Sequence, residues 1–369
     1  MDPRPLPQPG EPAPWFIARS TSNERYHFDT VGGRCVVLCF LGSAADAYSR
    51  GVVECFLRHR AVFNDERACF FGVTADPRDE REARLTQVLP GYRYFWDFDL
   101  AVSKLYGVHR GGTAYERYTI VLDPRLRVLA VVPFGISGSP EQHVAAVLEV
   151  LSGQPPIAAD DIQDHAPVLI VPRVFEPEFC RELIACYEQG NAEPSGFMRE
   201  QDGKTVGVFD DGFKKRRDVS VTDQTLRLAC RKRLENRLKP EVFKAFQFLV
   251  TYAERYIVAC YDATEGGFFR AHRDNTTKGT AHRRFAVTLN LNTGEYEGGQ
   301  LRFPEYGPRG YEAPLGGAIV FSCSLLHEAT PVTRGRRYAF LPFFYDEPAA
   351  KLRERNLPFV EAERQPPSS

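Results

Sequence analysis

The stretch Tyr261-Asp262-Ala263-Thr264-Glu265-Gly266-Gly267-Phe268-Phe269-Arg270-Ala271-His272-Arg273-Asp274 closes on a His-x-Asp pair. In an extended strand residues i and i+2 face the same way, so His272 and Asp274 can grip one metal ion while Arg273 points aside. A third ligand must come from elsewhere. His327, in Phe321-Ser322-Cys323-Ser324-Leu325-Leu326-His327-Glu328, follows an apolar run that brings the chain back. By itself a His-x-Asp is weak, because chance pairs on surfaces are common.

Two histidines and one carboxylate on one face of an octahedral ion leave three positions open, which suits Fe(II) binding a bidentate co-substrate together with O2. Zinc prefers a closed tetrahedral set. Ten residues beyond His327 stands Arg337, in Arg334-Gly335-Arg336-Arg337-Tyr338-Ala339-Phe340. A turn at Arg334-Gly335 would feed an apolar strand from Tyr338 to Phe344. An arginine facing into such a strand calls for a buried anion. Arg336 and Arg337 face opposite sides, so one of them can take that role, and the other reading is that both cap a surface hairpin.

The 369 residues exceed one ordinary core, and roughly 150 residues per domain suggests two. A formal net charge of −1 lacks the positive field of a nucleic-acid binder. No apolar run approaches the roughly 18 residues of a membrane span, and Met1 to Trp15 is proline-rich without a signal-like apolar core. These features place the chain in the cytoplasm. Nine cysteines without CxxC pairs read as reduced thiols, Cys35 and Cys39 among them as small core residues. Nothing in the sequence sets the oligomeric state.

The turn-rich run from Ser152 to Asp161 separates two patterns. We expect an α/β layered domain over 1–152, a linker over 153–165, a strand-rich domain with supporting helices over 166–346 and a weakly ordered tail over 347–369. In the first domain, apolar runs at 35–41, 68–74, 118–122 and 128–132 alternate with helical patterns at 50–63 and 78–88. In the second, helices over 178–188 and 225–248 precede the strands.

Residues 166–346 resemble the prolyl-4-hydroxylase-like branch of the 2-oxoglutarate/Fe(II) oxygenases. The resemblance rests on the His-x-Asp, His327, Arg337, the strand Phe285-Ala286-Val287-Thr288-Leu289-Asn290-Leu291-Asn292 and the hairpin Gly298-Gly299-Gln300-Leu301-Arg302-Phe303. It implies a double-stranded β-helix (jelly roll) with iron held by His272, Asp274 and His327, and Arg337 on the distal carboxylate of 2-oxoglutarate. It also implies a dioxygenase that uses O2, with ascorbate as a reductant, to hydroxylate a protein, peptide or small-molecule acceptor while 2-oxoglutarate becomes succinate. Tyr261 matches a tyrosine that reaches 2-oxoglutarate, with one extra residue before the histidine, and Asn290 stands where a second polar contact is often a tyrosine. An ordinary structural role is open for both.

Residues 7–150 are similar to a thioredoxin-like domain of the peroxiredoxin type, on Pro9-Gly10-Glu11-Pro12-Ala13-Pro14-Trp15-Phe16, Gly33 to Phe40 and Arg117-Tyr118-Thr119-Ile120-Val121-Leu122-Asp123-Pro124. The resemblance departs at the reactive thiol: Gly42 to Arg50 holds no cysteine, and Ser49 takes that place, with Arg117 retained. Cys55 lies farther along the helix and reads as a packed thiol; were it reactive, the chain would be a redox or peroxide-sensing protein instead. Finally, the Gly-rich segment Ser195 to Asp218 reads either as a substrate-covering lid or as a fixed hairpin, and the run Lys214 to Arg217 as a solvated face.

Overall fold

The computed structural model describes residues 6–109, 114–135, 138–154 and 165–361. Most of the expected linker, 155–164, lies outside them, and two compact units meet in sequence between Asp164 and His165.

The first unit contains strands β1 (Cys35–Gly42), β2 (Ala68–Thr74), β3 (Tyr92–Trp96), β4 (Tyr118–Leu122) and β5 (Val128–Pro133), with helices α1 (Ala47–Arg58) and α2 (Pro140–Ser152). They form one sheet in the order β3-β2-β1-β4-β5, the first three parallel and the last two antiparallel. β1 is apolar at every position because both of its faces are covered. Val37, Cys39 and Leu41 pack with Val52, Phe56 and Val147 of the two helices, while Val36, Leu38 and Phe40 pack with Phe28, Phe95 and Tyr106. Burial pushes the Cys35 thiol to about 11 and Cys39 to about 12, so both act as core residues.

β3 was missed in the sequence, where Tyr92-Arg93-Tyr94-Phe95-Trp96 is interrupted by an arginine whose charge is spent on Asp65 at 2.8 Å. The helix expected over 78–88 is only Pro77–Arg81; Asp76 caps it, and Ala83 at φ +50 ends the local winding.

The second unit opens with β6 (Leu169–Val171) and α3 (Pro177–Gln189), followed by strands β7 (Phe197–Gln201), β8 (Lys204–Val208), β9 (Lys214–Lys215) and β10 (Arg217–Ser220). The helical run expected over 225–248 is two helices, α4 (Gln224–Arg233) and α5 (Lys239–Phe246), joined by a π turn at Leu234–Leu238. Pro240 has no N–H to donate and its ring crowds the carbonyl four residues back, and the wider turn relieves both.

Then come β11 (Tyr252–Glu254), β12 (Ile257–Asp262), β13 (Phe268–His272), β14 (Phe285–Asn290), β15 (Leu301–Arg302), β16 (Gly310–Tyr311), β17 (Ala318–Ser322), β18 (His327–Ala329), β19 (Arg336–Phe340) and β20 (Phe343–Tyr345). From β12 onward the chain alternates between two antiparallel sheets. The larger runs β11-β20-β14-β19-β12-β10, with β17 on β14 and β6 on β17; the smaller runs β9-β13-β18-β15-β16. The single strand expected from Tyr338 to Phe344 is broken at Pro342, which cannot donate to a ladder. Between the sheets, Tyr261 of β12 packs with Phe269 of β13 and Ala329 of β18.

One expectation is corrected and one open alternative is narrowed. The stretch after 346, expected to be a weakly ordered tail, is a helix over its first part: α6 (Glu347–Asn356), with Asp346 accepting from the Ala349 N–H at 3.0 Å and a proline in the first turn. Within the segment Ser195 to Asp218, β7 and β8 form a hairpin fixed near its turn, and Lys214–Lys215 and Arg217–Asp218 pair in the smaller and the larger sheet respectively. There Thr205 bridges Val360, the Lys204 ammonium pairs with Glu361 at 2.9 Å, and Thr205 Oγ1 accepts from the Gly279 N–H at 2.8 Å. That matches the fixed alternative better than a free lid.

Candidate active site

β13 and β18 pair so that His272 lies opposite His327. Their rings are 4.3 Å apart at the centroids. Asp274, two residues past the strand, is held by its N–H donating to the Cys323 carbonyl at 2.9 Å. Its carboxylate reaches His272 Nε2 at 3.5 Å and His327 Nε2 at 3.3 Å, and one donor atom from each residue lies within 4.8 Å of the other two.

Each imidazole is oriented by its second nitrogen. His272 Nδ1 lies 2.7 Å from the Arg270 carbonyl and His327 Nδ1 lies 3.0 Å from the Leu325 carbonyl. A carbonyl only accepts, so Nδ1 carries the proton and the Nε2 lone pairs face the carboxylate. Burial and the neighbouring His272 push His327 down to about 4, which keeps it neutral at pH 7. Burial alone would raise Asp274, but His327 and His272 override it and hold the carboxyl below its usual range. Two neutral imidazole nitrogens and an anionic oxygen converging on one point fit a divalent cation with positions to spare.

Arg337 sits on β19 opposite Tyr261 on β12. It is 2% exposed. Its guanidinium lies 5.2 Å from the Tyr261 ring centroid and donates weakly through Nη2 to Asn290 Oδ1 at 3.4 Å. Its Nε, fully buried, has no hydrogen-bond partner. Gly299, at φ +67, makes room for it: a Cβ there would come within 2.9 Å of Arg337 Cδ. Among the described residues no carboxylate pairs with this cation, a costly state that an anionic ligand would relieve. Arg336, by contrast, is 53% exposed and pairs with Asp262 at 2.7 Å and Glu188 at 3.4 Å.

Asn290 is buried beneath Arg337, its amide donating to the Ala313 carbonyl at 3.2 Å. Two residues that sequence reasoning passed over belong here. Tyr296 is in the same apolar cluster as Tyr261, and its hydroxyl is 3.4 Å from the Asn290 amide. Arg216 donates to the Tyr261 hydroxyl at 3.4 Å and to Asp218 at 2.7 Å through both Nε and Nη2. Nothing in the local sequence singles out Tyr296, but Arg216-x-Asp218 is a same-face strand pair that could have been noticed. The run Lys214 to Arg217 is thus not a solvated face: Lys214 and Arg216 point inward, while Lys215 and Arg217 alternate outward.

With this geometry in place, the family model of the 2OG-Fe(II) oxygenase superfamily matches residues 256–345, a span holding His272, Asp274, His327 and Arg337. The second half of the chain carries a 2OG-Fe(II) oxygenase domain. A PKHD-type hydroxylase of Cupriavidus metallidurans is 33% identical over 128 residues, 30% of this chain and 55% of that one. One from Paracoccus denitrificans is 39% identical over 83 residues, 20% of this chain and 37% of that one. The chain thus spans about half or less of the curated relatives it matches. Among solved structures, a Pseudomonas putida prolyl-4-hydroxylase aligns at TM-score 0.37 and 21% identity, over 51% of this chain and 97% of that one. The peroxidoxin BcpB of Mycobacterium tuberculosis aligns at TM-score 0.34 and 22% identity, over 40% of this chain and 99% of that one.

In the first unit, Ser49 lies in the first turn of α1, fully buried, its Oγ donating to the Leu41 carbonyl at 2.9 Å and accepting from Arg117 at 3.1 Å. Arg117 also pairs with Asp46, the α1 cap. Cys55 is buried one helical face away, where Arg58 donates to its Sγ at 2.6 Å. Burial, with Glu141 adding to it, raises the thiol above its ordinary value.

Proposed function

We propose that the chain is a 2-oxoglutarate-dependent Fe(II) dioxygenase that hydroxylates a protein, peptide or small-molecule acceptor while 2-oxoglutarate is converted to succinate and CO2. The observation that carries this reading is the pairing of a two-histidine, one-carboxylate cluster with a buried arginine that has no carboxylate partner among the described residues. His272, Asp274 and His327 would hold the iron, which when bound supplies O2 activation. Arg337 would bind the distal carboxylate of 2-oxoglutarate through its free donors, and Asn290 would orient Arg337 from below. Tyr261, between Arg216 and Arg337, would close the side of the 2-oxoglutarate pocket and exclude water there.

The proposal extends to the fold: the two facing sheets would constitute a double-stranded β-helix, and the first unit a thioredoxin-like domain of the peroxiredoxin type whose thiol chemistry has been lost. It includes ascorbate as the reductant that maintains Fe(II) and a cytoplasmic setting in keeping with nine free thiols. No described helix is long and apolar enough to cross a membrane. The test is anaerobic titration of the full chain with Fe(II), then with 2-oxoglutarate, read by the absorption that appears when a 2-oxo acid chelates iron. A protein that binds iron without His272 or His327 would refute the assignment.

A further inference from the structure

Lys214 is a buried basic residue outside the metal-ligand set. It lies on β9 directly opposite Phe269 on β13, so its side chain enters the same interior face. It is 5% exposed. Its amine sits 4.7 Å from the Phe269 ring centroid, and that ring is itself stacked on His272 at 3.6 Å. The ammonium is therefore one aromatic ring away from the metal-binding triad.

Its hydrogen bonds do not balance its charge. Nζ donates to Ser195 Oγ at 2.8 Å and to the Gly196 carbonyl at 2.6 Å, both neutral. An ammonium has three N–H donors, so one is left over. The nearby carboxylate, Asp218, is already spent: Arg216 holds it through Nε and Nη2, and Ser195 donates to it at 2.6 Å. Arg255 approaches Asp218 only to 3.5 Å and is partly exposed, so it marks the side of the cluster open to solvent. Lys214, Arg216 and Arg255 thus gather around Asp218, with Asp274 acting on Lys214 and Arg255 from farther off, so basic groups outnumber carboxylates in a mostly buried place.

We propose that Lys214, with Arg255 at the open edge, binds a carboxylate of the acceptor and so restricts hydroxylation to acceptors that carry one. The inference rests on the oxygenase reading above. A carboxylate suits this cluster because it is a monoanion that accepts a hydrogen bond from the remaining Lys214 N–H and offsets the surplus of basic groups. Burial, with Arg216 adding to it, holds the amine well below the ordinary lysine value, as expected of a cation whose counter-ion is missing. The Asp274 carboxylate acts electrostatically on both Lys214 and Arg255, so the cluster lies within reach of the metal centre's charge.

The carboxylate could be the terminal group of a small acid or an acidic side chain within a peptide, and the test separates them. The full chain is held anaerobically with saturating Fe(II) and 2-oxoglutarate, and calorimetry follows binding of two probe pairs. One pair is N-acetyl-alanine against N-acetyl-alaninamide; the other is acetyl-Ala-Asp-Ala-amide against acetyl-Ala-Asn-Ala-amide.

We expect one charged probe to bind at least tenfold tighter than its neutral partner. Lys214→Met should erase that ratio while the affinities for Fe(II) and 2-oxoglutarate stay within twofold. Lys214→Arg, which keeps the charge, should retain most of the preference, and it decides the matter should Lys214→Met fail to fold. Absence of any preference in the unmodified chain, or a preference that survives Lys214→Met, would overturn the proposal. Failure of Fe(II) or 2-oxoglutarate to bind the unmodified chain would instead strike the oxygenase reading on which it rests.

Discussion

Both halves of the chain place an arginine beside a position where chemistry could occur, yet the charges are arranged oppositely. In the first unit Arg117 faces Ser49, but Asp46 pairs with it directly, so the cluster is electrically closed. In the second, Arg337 is buried with its Nε unpartnered, and among the described residues it donates to the Asn290 amide oxygen and pairs with no carboxylate. A closed pair is satisfied without a ligand; an open buried cation is stable in water only at a cost that an anion removes. Charge balance, more than the presence of charged residues, separates the closed cluster from the open one.

The comparison can be broken most severely at the metal triad. His272→Ala or His327→Ala should lower Fe(II) affinity by at least about 100-fold, more than loss of an outer-shell partner costs, and succinate formation should vanish. Equilibrium dialysis with iron quantification reads this, and unchanged iron stoichiometry would sink the assignment. Arg337→Gln should leave iron bound but raise the KM for 2-oxoglutarate about 30-fold or more, the equivalent of about 2 kcal/mol for a buried charge-assisted contact. Arg336→Gln, at an exposed position, should change it less than about twofold. Exchange of these two behaviours would show that the neighbouring side chain is the one facing the ligand.

Asp218 sharpens the argument about charge balance. Burial would raise its carboxyl, but Arg216 and Lys214 override this and bring it to about 2. A folded value below the unfolded one means stability that is fully present above the unfolded carboxylate value near 4 and lost as pH falls toward 2. Asp218→Asn should therefore cost about 3 kcal/mol near pH 7, as removal of one partner from a buried pair does. The loss should shrink between about pH 4 and pH 2; thermal melts across that range would show it, and a cost independent of pH would contradict the charge argument.

The smallest expected effect lies in the first unit. Cys55 should alkylate no faster than an ordinary thiol, and Cys55→Ser should leave peroxide consumption unchanged, because burial and Glu141 raise its thiol. Rapid peroxide consumption by the unmodified chain, removed by Cys55→Ser, would restore the redox reading of this unit.

The iron-site candidates were legible because their signal is short-range: period-two alternation puts His272 and Asp274 on one face whatever the rest of the fold does. The same alternation made it clear that Arg336 and Arg337 diverge. Which one turns inward depends on strand register against β12 and β14, a long-range property. Lys214-Lys215-Arg216-Arg217 was misread for a related reason. Four consecutive cations have no visible parity, and only pairing with β13 shows that alternate members enter the core. The helix α6 was missed because it buries little beyond Ala349 and so lacks an apolar stripe, although Asp346 and Pro348 mark its start.

The central claim is that the buried, unpaired Arg337 and the metal triad together form one co-substrate site. Anaerobic titration of 2-oxoglutarate into the Fe(II)-loaded chain and into Fe(II)-loaded Arg337→Gln tests it most directly. The account predicts one 2-oxoglutarate per iron in the unmodified chain, with the chelate absorption, and a binding curve shifted about 30-fold or more in the variant while iron content stays constant. Equal 2-oxoglutarate affinity in the two proteins would contradict it.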